Sequence, residues 1–224
     1  MTGLNIKDLN VYYDKGTSSE KHVLKNFNLK CNPGEITLVK GRSGAGKSTL
    51  FRAILGLEPL VSGSIKINGE SISKLTRPKS FMKIGYLDQD SLKNLAPNLT
   101  VVENIIFSMQ KLNSIKIYKN NLTQRAAEFI GQFDIMKNVN SEMKVINLSG
   151  GQRQLLSLTI SMLSPMKEIY LIDEFGSAMD EHTKESALRI LKKIVNKNSS
   201  STLIIDHDTD MVAKYSEKIY SLNN

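Results

Sequence analysis

The chain has 224 residues, 40% hydrophobic and 23% charged, which is ordinary globular composition and length enough for one α/β domain with a small inserted subdomain. No apolar run approaches the roughly 20 residues needed to span a bilayer, Met1 to Leu9 lacks the pattern of a secretory signal, and the single Cys31 excludes an internal disulfide and a cysteine-rich zinc site, in keeping with a reducing, cytoplasmic compartment. The surplus of 30 Lys and Arg over 22 Asp and Glu is scattered, so it reads as a solvated surface and gives nucleic-acid binding no support.

In chain order, apolar-rich segments bounded by Gly, Pro and Asn predict strands at Asn5 to Val11, Ile36 to Lys40, Ser64 to Ile67 and Ile84 to Leu87, with a helix over Lys47 to Gly56. From about Ser91 to Leu148 the signals are helical. Thr100 and Glu103 have capping-box spacing ahead of Ile105, Ile106 and Met109, and Thr123 to Met136 is amphipathic. Leu155 to Leu163 is a further apolar helical stretch. Strands at Ile169 to Asp173 and Thr202 to Asp206 then flank a helix over Lys184 to Asn196. Alternating strands and helices predict an α/β fold with a mostly parallel sheet covered on both faces. One domain over residues 1–224 is expected, with residues 1–90 and 149–224 as its α/β core and 91–148 as an inserted helical subdomain.

The strand ending at Lys40 runs into Gly41, Arg42, Ser43, Gly44, Ala45, Gly46, Lys47, Ser48 and Thr49, the spacing of a phosphate-binding P-loop. Glycines let backbone N–H groups turn toward a phosphate, and the helix N-terminus adds about half a positive charge. Lys47 supplies a point charge for the β and γ phosphates, Ser48 a ligand for Mg2+, and Thr49 a hydrogen bond for the α phosphate. Strand, loop, lysine, hydroxyl and helix fall in the order that binding a nucleoside triphosphate needs.

Glu168 to Glu174 is an apolar strand that ends in two adjacent acids. Successive strand side chains point to opposite faces, so Asp173 and Glu174 cannot share one task. Asp173 is expected to face Mg2+, and Glu174 an attacking water as its general base. Farther upstream, Ser149 and Gln152 again have capping-box spacing, and with Gly150 and Gly151 they open a helix N-terminus on which a second anion can sit.

Two anion sites for one nucleotide find a rationale in a family. With Leu148-Ser149-Gly150-Gly151-Gln152 and the P-loop, essentially the whole chain resembles the ABC ATPases, in which this signature from one subunit closes over the γ phosphate held by the P-loop of another. The resemblance implies a P-loop NTPase (RecA-like) core with an antiparallel β part near the N-terminus. It further implies that Tyr13, with Tyr12 as the alternative, stacks on adenine, and that Gln89 in Gly85-Tyr86-Leu87-Asp88-Gln89 reads Mg2+ and the attacking water. Ser177-Ala178-Met179-Asp180 matches the family's D-loop, and His207 matches the histidine that contacts the γ phosphate. Phe175-Gly176 in place of the usual Pro-Thr, and Ile160 near a usual arginine, depart from the pattern without removing a catalytic group.

By this resemblance the chain is the ATPase of a membrane transporter, working as a head-to-tail dimer with a second copy or a paralogous ATPase. It is expected to dock on transmembrane permease subunits at the inner face of the membrane, with a solute-binding protein in the assembly. The isolated monomer is expected to hold ATP but hydrolyse it poorly. Leu95 to Asn104 and Gly150 to Leu158 look like a bacterial subgroup importing amino acids or related small solutes, which favours import over a lipoprotein or macrolide-type export ATPase. Regulators of the divisome type and soluble ABC ATPases are the remaining alternatives; the short interval between Gln89 and Leu148 speaks against the long coiled coil of DNA-acting relatives.

Overall fold

The computed structural model describes residues 3–58, 62–74, 83–112, 122–131, 133, 136–137, 139–161, 163, 167–206 and 209–222. Two long strands open the chain, β1 (Leu4–Tyr13) and β2 (Lys21–Cys31), followed by β3 (Ile36–Lys40), α1 (Lys47–Ile54), β4 (Ser62–Ile67), β5 (Glu70–Ser71) and β6 (Ile84–Leu87). Among the described residues three α-helices come next: α2 (Val101–Leu112), α3 (Leu122–Gly131) and α4 (Gly150–Ser161). The chain closes with β7 (Ile169–Asp173), α5 (Glu181–Asn198), β8 (Ser201–Ile205), α6 (Thr209–Ala213) and β9 (Lys218–Ser221).

The strands form a four-stranded sheet in the order β2-β1-β4-β5 and a five-stranded sheet in the order β6-β7-β8-β3-β9. In the first, β1 pairs antiparallel with both β2 and β4, and its register with β2 shifts between Ile6 and Leu9, where Asp8 takes a left-handed φ of 47°. Such a shift is a bulge that turns the strand and raises its twist. The second sheet is parallel at β7-β8, β8-β3 and β3-β9. Its central strand β8 is buried along its whole length and β3 at all but its last residue. This is the continuous burial expected of a parallel sheet covered on both faces.

By internal contacts the chain divides into two units. One comprises Met1–Tyr86, Met166–Phe175 and Lys192–Asn224, the other Leu87–Pro165 and Gly176–Leu191. The core of the first is built from Leu4, Ile6, Leu9 and Val11 of β1, Leu24 and Leu29 of β2, Leu50, Phe51 and Ile54 of α1, and apolar residues of β3, β7 and β8. In the second, α2 begins on the capping box read from the sequence: the Thr100 hydroxyl accepts from the Glu103 N–H at 3.2 Å, and Glu103 accepts from the Thr100 N–H at 2.7 Å. Buried Asn104 then holds the preceding turn through both backbone groups of Ala96.

The predicted elements are present, with shifted ends. Strand β2 and β9 were not predicted, because the polar residues of Lys-His-Val-Leu-Lys-Asn-Phe-Asn-Leu-Lys-Cys mask its alternation and β9 is only four residues long. The helix predicted over Thr123 to Met136 runs Leu122–Gly131, and part of its expected C-terminal end lies outside the described residues.

Candidate functional site

The turn from β3 into α1 sits in the first unit. Gly46 is the residue before the helix, at φ 93°, and no side chain caps α1. Helix N-termini carry N–H groups with no intrahelical partner and a partial positive charge. Here the first turn also contains no acidic residue to neutralise them. Lys47 is 9% exposed, and its ammonium donates to the carbonyls of Gly41 at 2.7 Å and Arg42 at 3.1 Å, so it lies along the loop. Ser48 is exposed and Thr49 buried. This arrangement suits an anion: backbone donors, a helix end and a lysine converge while the loop presents no carboxylate.

Tyr13 belongs to the same neighbourhood. Its phenol oxygen lies 3.1 Å from the Thr49 hydroxyl and donates at 3.1 Å to Glu58, which also pairs with the guanidinium of Arg52. Tyr12, the alternative for adenine, instead stacks on His22 with ring centroids 3.8 Å apart and an interplanar angle of 11°, and Lys15 approaches its ring at 5.4 Å. Of the two tyrosines, Tyr13 is the one tied to the P-loop helix.

The acid pair is held by the parallel sheet. Asp173 is paired with Ile205, which is paired in turn with Val39, so the end of β7 is level with the end of β3 across one intervening strand. At about 4.8 Å per strand, the backbone of Asp173 is roughly 10 Å from that of Val39, two residues before the phosphate loop, both at the carboxyl edge of the sheet. Glu174 takes a left-handed φ of 56° and donates its N–H to the carbonyl of Ile205 at 2.8 Å, so the chain turns at this acid. Both side chains are partly exposed. Among the described residues no cluster of three or more His, Cys, Asp or Glu forms. One hydroxyl and one carboxylate, Ser48 and Asp173, are the hard oxygen donors that suit Mg2+, which takes its other ligands from phosphate and water.

The second unit carries the signature. Ser149 caps α4, accepting from the Gln152 N–H at 3.2 Å while the Gln152 side chain accepts from the Ser149 N–H at 2.9 Å. The capping box is therefore formed. Gly151 permits a close approach: a Cβ there would lie 2.8 Å from the Ala178 carbonyl oxygen, and one on Gly150 would lie 2.9 Å from the Ala178 Cβ. Gln154 fastens the same contact, donating to the Ser177 hydroxyl at 3.0 Å and accepting from the Ala178 N–H at 3.2 Å. Asp180 caps α5 by accepting from the Thr183 N–H at 2.9 Å and hydroxyl at 2.7 Å. The Thr183 hydroxyl, with its backbone N–H, holds the Asp180 carboxyl below its ordinary value. Ser149, Gly151, Gln152, Met179, Asp180 and Thr183 line part of a pocket of about 480 Å3.

The sequence-predicted residues thus fall into two groups. Tyr13, Gly41 to Thr49, Asp173 and Glu174 share the first unit; Gln89, exposed just after β6, and Ser149 to Gln152 and Asp180 share the second. His207 lies outside the described residues. Glu58 and Gln154 were missed: Glu58 falls in no motif, and Gln154, though within the Gly150 to Leu158 pattern, shows its role only through its partners Ser177 and Ala178. Asp206 was read merely as a strand end; it is 4% exposed at the end of β8, beside the edge that holds Asp173.

A profile of the ABC transporter family matches residues 24–176. The chain belongs to the ABC transporter family. It is similar to the nickel import ATP-binding protein NikE of Escherichia coli O157:H7, at 35% identity over 231 aligned residues covering 100% of this chain and 85% of that protein. NikE of Shigella flexneri matches at the same 35% identity and coverage. Among solved structures, the dimeric post-hydrolysis state of the ATP-binding cassette MJ0796 bound to ADP and Pi superposes with a TM-score of 0.82 at 27% identity, covering 98% of this chain and 94% of that one. The dimeric structure of MJ0796 as a bacterial ABC transporter cassette gives a TM-score of 0.82 at 26% identity, with 97% and 93% covered. The chain is accordingly a bacterial ABC ATPase that uses ATP and Mg2+, on the P-loop NTPase fold expected. These relatives are named for nickel import, whereas Leu95 to Asn104 and Gly150 to Leu158 gave the expectation of an amino acid or related small solute.

Proposed function

We propose that this cassette powers solute import across a membrane, hydrolysing ATP to ADP and phosphate at a head-to-tail dimer interface. The observation that carries the catalytic reading is the level register of Asp173 and the phosphate loop at one edge of the parallel sheet. In this reading Lys47 and the loop N–H groups hold the β and γ phosphates, Ser48 and Asp173 hold Mg2+ with help from Gln89, and Glu174 is the general base. Tyr13 stacks on adenine, and His207 contacts the γ phosphate. Ser149, Gly150, Gly151 and Gln152, with Asp180, complete the site of the other subunit. The reaction is then positioning and charge stabilisation, as phosphoryl transfer generally is.

Residues 91–148 form a helical subdomain within a single cassette, and permease subunits dock on it and near Gln89, holding the protein at the inner face of the membrane. No described helix is long and apolar enough to cross a membrane itself. Support for import comes from the relatives named for nickel import, which make a nickel ion the first solute to test, delivered by a solute-binding protein. Glu174→Gln is expected to bind ATP, lose turnover by about 10^2 to 10^4-fold, and accumulate as a dimer in size-exclusion chromatography with ATP and Mg2+. Near-normal turnover would remove Glu174 from the base role. Nickel uptake by cells expressing the cassette with its permease, absent in the Glu174→Gln strain, tests the solute.

A further inference from the structure

We propose that Glu58 is a positioning residue for the nucleotide base, acting through the phenol of Tyr13; this rests on the assignment of Tyr13 as the adenine platform. The side chain of Glu58 is 8% exposed, although it lies outside any motif and just beyond the end of α1. Removing a carboxylate from water is costly unless charges and hydrogen bonds compensate. Glu58 has both, from the Arg52 guanidinium and the Tyr13 hydroxyl.

The protons assign the direction of each bond. A phenol has one proton, and Tyr13 donates it to Glu58 at 3.1 Å. The 3.1 Å contact to Thr49 must then have Thr49 as donor and the Tyr13 oxygen as acceptor, which leaves the Thr49 backbone N–H, in the first turn of α1, for the α phosphate. The order Thr49 to Tyr13 to Glu58 is fixed by the acceptor-only carboxylate at its end. A tyrosine ring turns about two side-chain torsions, and anchoring its oxygen at two points removes both freedoms. Thr49 sits in the first turn of α1, directly after the phosphate loop, while Arg52 is one turn farther along the same helix. The platform for the base is thereby set at a fixed distance from the seat of the phosphates. A charged acceptor makes the stronger hydrogen bond, so neutral replacement of Glu58 loosens the ring without altering the loop.

The test compares two ligands on the full chain by calorimetry with Mg2+: ATP, and inorganic tripolyphosphate, which has the phosphates and no base. Glu58→Gln and Tyr13→Phe are each expected to weaken ATP binding roughly five- to ten-fold, the scale of one net hydrogen bond, while changing tripolyphosphate binding by less than about two-fold. Because both act on one chain of bonds, the double variant is expected to bind ATP within about two-fold of the weaker single variant. Retained tripolyphosphate binding also reports a folded loop. Equal losses for both ligands, no loss for ATP, or a multiplicative double variant would each overturn the role of Glu58. Tyr13→Ala separates the two levels. If it leaves the preference for ATP over tripolyphosphate intact, the base platform itself is wrongly assigned; if it abolishes that preference while Glu58→Gln and Tyr13→Phe do not, only the role of Glu58 is lost.

Discussion

Alanine substitutions at Gly44 and Gly46 separate the two reasons a glycine is used in the phosphate loop. Gly44 has φ 78°, and a Cβ there would meet nothing within 4 Å. Gly46 has φ 93°, and its Cβ would lie 2.8 Å from Val23 Cγ1, 3.1 Å from Leu24 Cδ2 and 3.3 Å from the Val23 carbonyl. Positive φ costs an L-residue about 1–2 kcal/mol, against which the stiffer unfolded chain of alanine returns about 0.4–1 kcal/mol. Gly44→Ala is therefore expected to destabilise by about 0–1.5 kcal/mol. Gly46→Ala adds the cost of overpacking, about 1–3 kcal/mol, because Val23 and Leu24 are themselves buried in β2 and have nowhere to move. Its total is about 1–4.5 kcal/mol. Urea unfolding of both variants, followed by circular dichroism and analysed at constant m, gives the two values directly. A Gly46→Ala variant no less stable than Gly44→Ala would refute the packing against β2, whatever either variant does to ATP.

The remaining expectations can be checked with the same chain. Burial raises the Tyr170 phenol from 10.0 to about 12, so its contribution to stability is complete below pH 10 and is lost as the pH rises through about 12. Tyr170→Phe is accordingly expected to flatten the fall of stability over that range by about 3 kcal/mol, measured by urea unfolding in a pH series. Ser149→Ala removes the cap of α4 and is expected to cost about 1 kcal/mol in the same unfolding assay. Ser149→Asp keeps a capping oxygen but offers no proton and adds negative charge, so stability is expected to persist while steady-state ATP hydrolysis collapses; hydrolysis at the normal rate would remove Ser149 from the phosphate site.

What was legible in the sequence depended on whether a feature is local along the chain. The P-loop, both capping boxes and the acid pair at the end of β7 are each written within a few residues, and β3, β7 and β8 stand out as apolar runs because β8 is buried throughout and β3 and β7 at all but their last residue. Strand β2 was harder to read: Lys25, Asn26, Asn28 and Lys30 face water or sit at a bulge, and its partner residues in β1 lie up to 27 positions away in the chain, as with Leu4 and Cys31. Glu58 is an ordinary acid after a helix until Tyr13 of another strand is brought against it. The choice between Tyr12 and Tyr13 was open for the same reason, since neighbours in sequence differ only in the side of the strand they present.

The signature shows why a structural reading and a functional one need not compete. The Ser149 oxygen accepts the Gln152 N–H to cap α4, and that bond engages a lone pair. Its proton remains to be donated, and a serine hydroxyl can do both at once. Gln152 likewise commits its side-chain oxygen to the Ser149 N–H and keeps its amide protons. The cap thus orders the helix end while leaving the Ser149 proton and the Gln152 amide protons uncommitted to it, beside glycines that let Ala178 pack close. An anion is the ligand such a surface selects. In the proposed head-to-tail dimer, the helix start that the sequence explains as a cap would for that reason also meet the phosphate held by a second subunit.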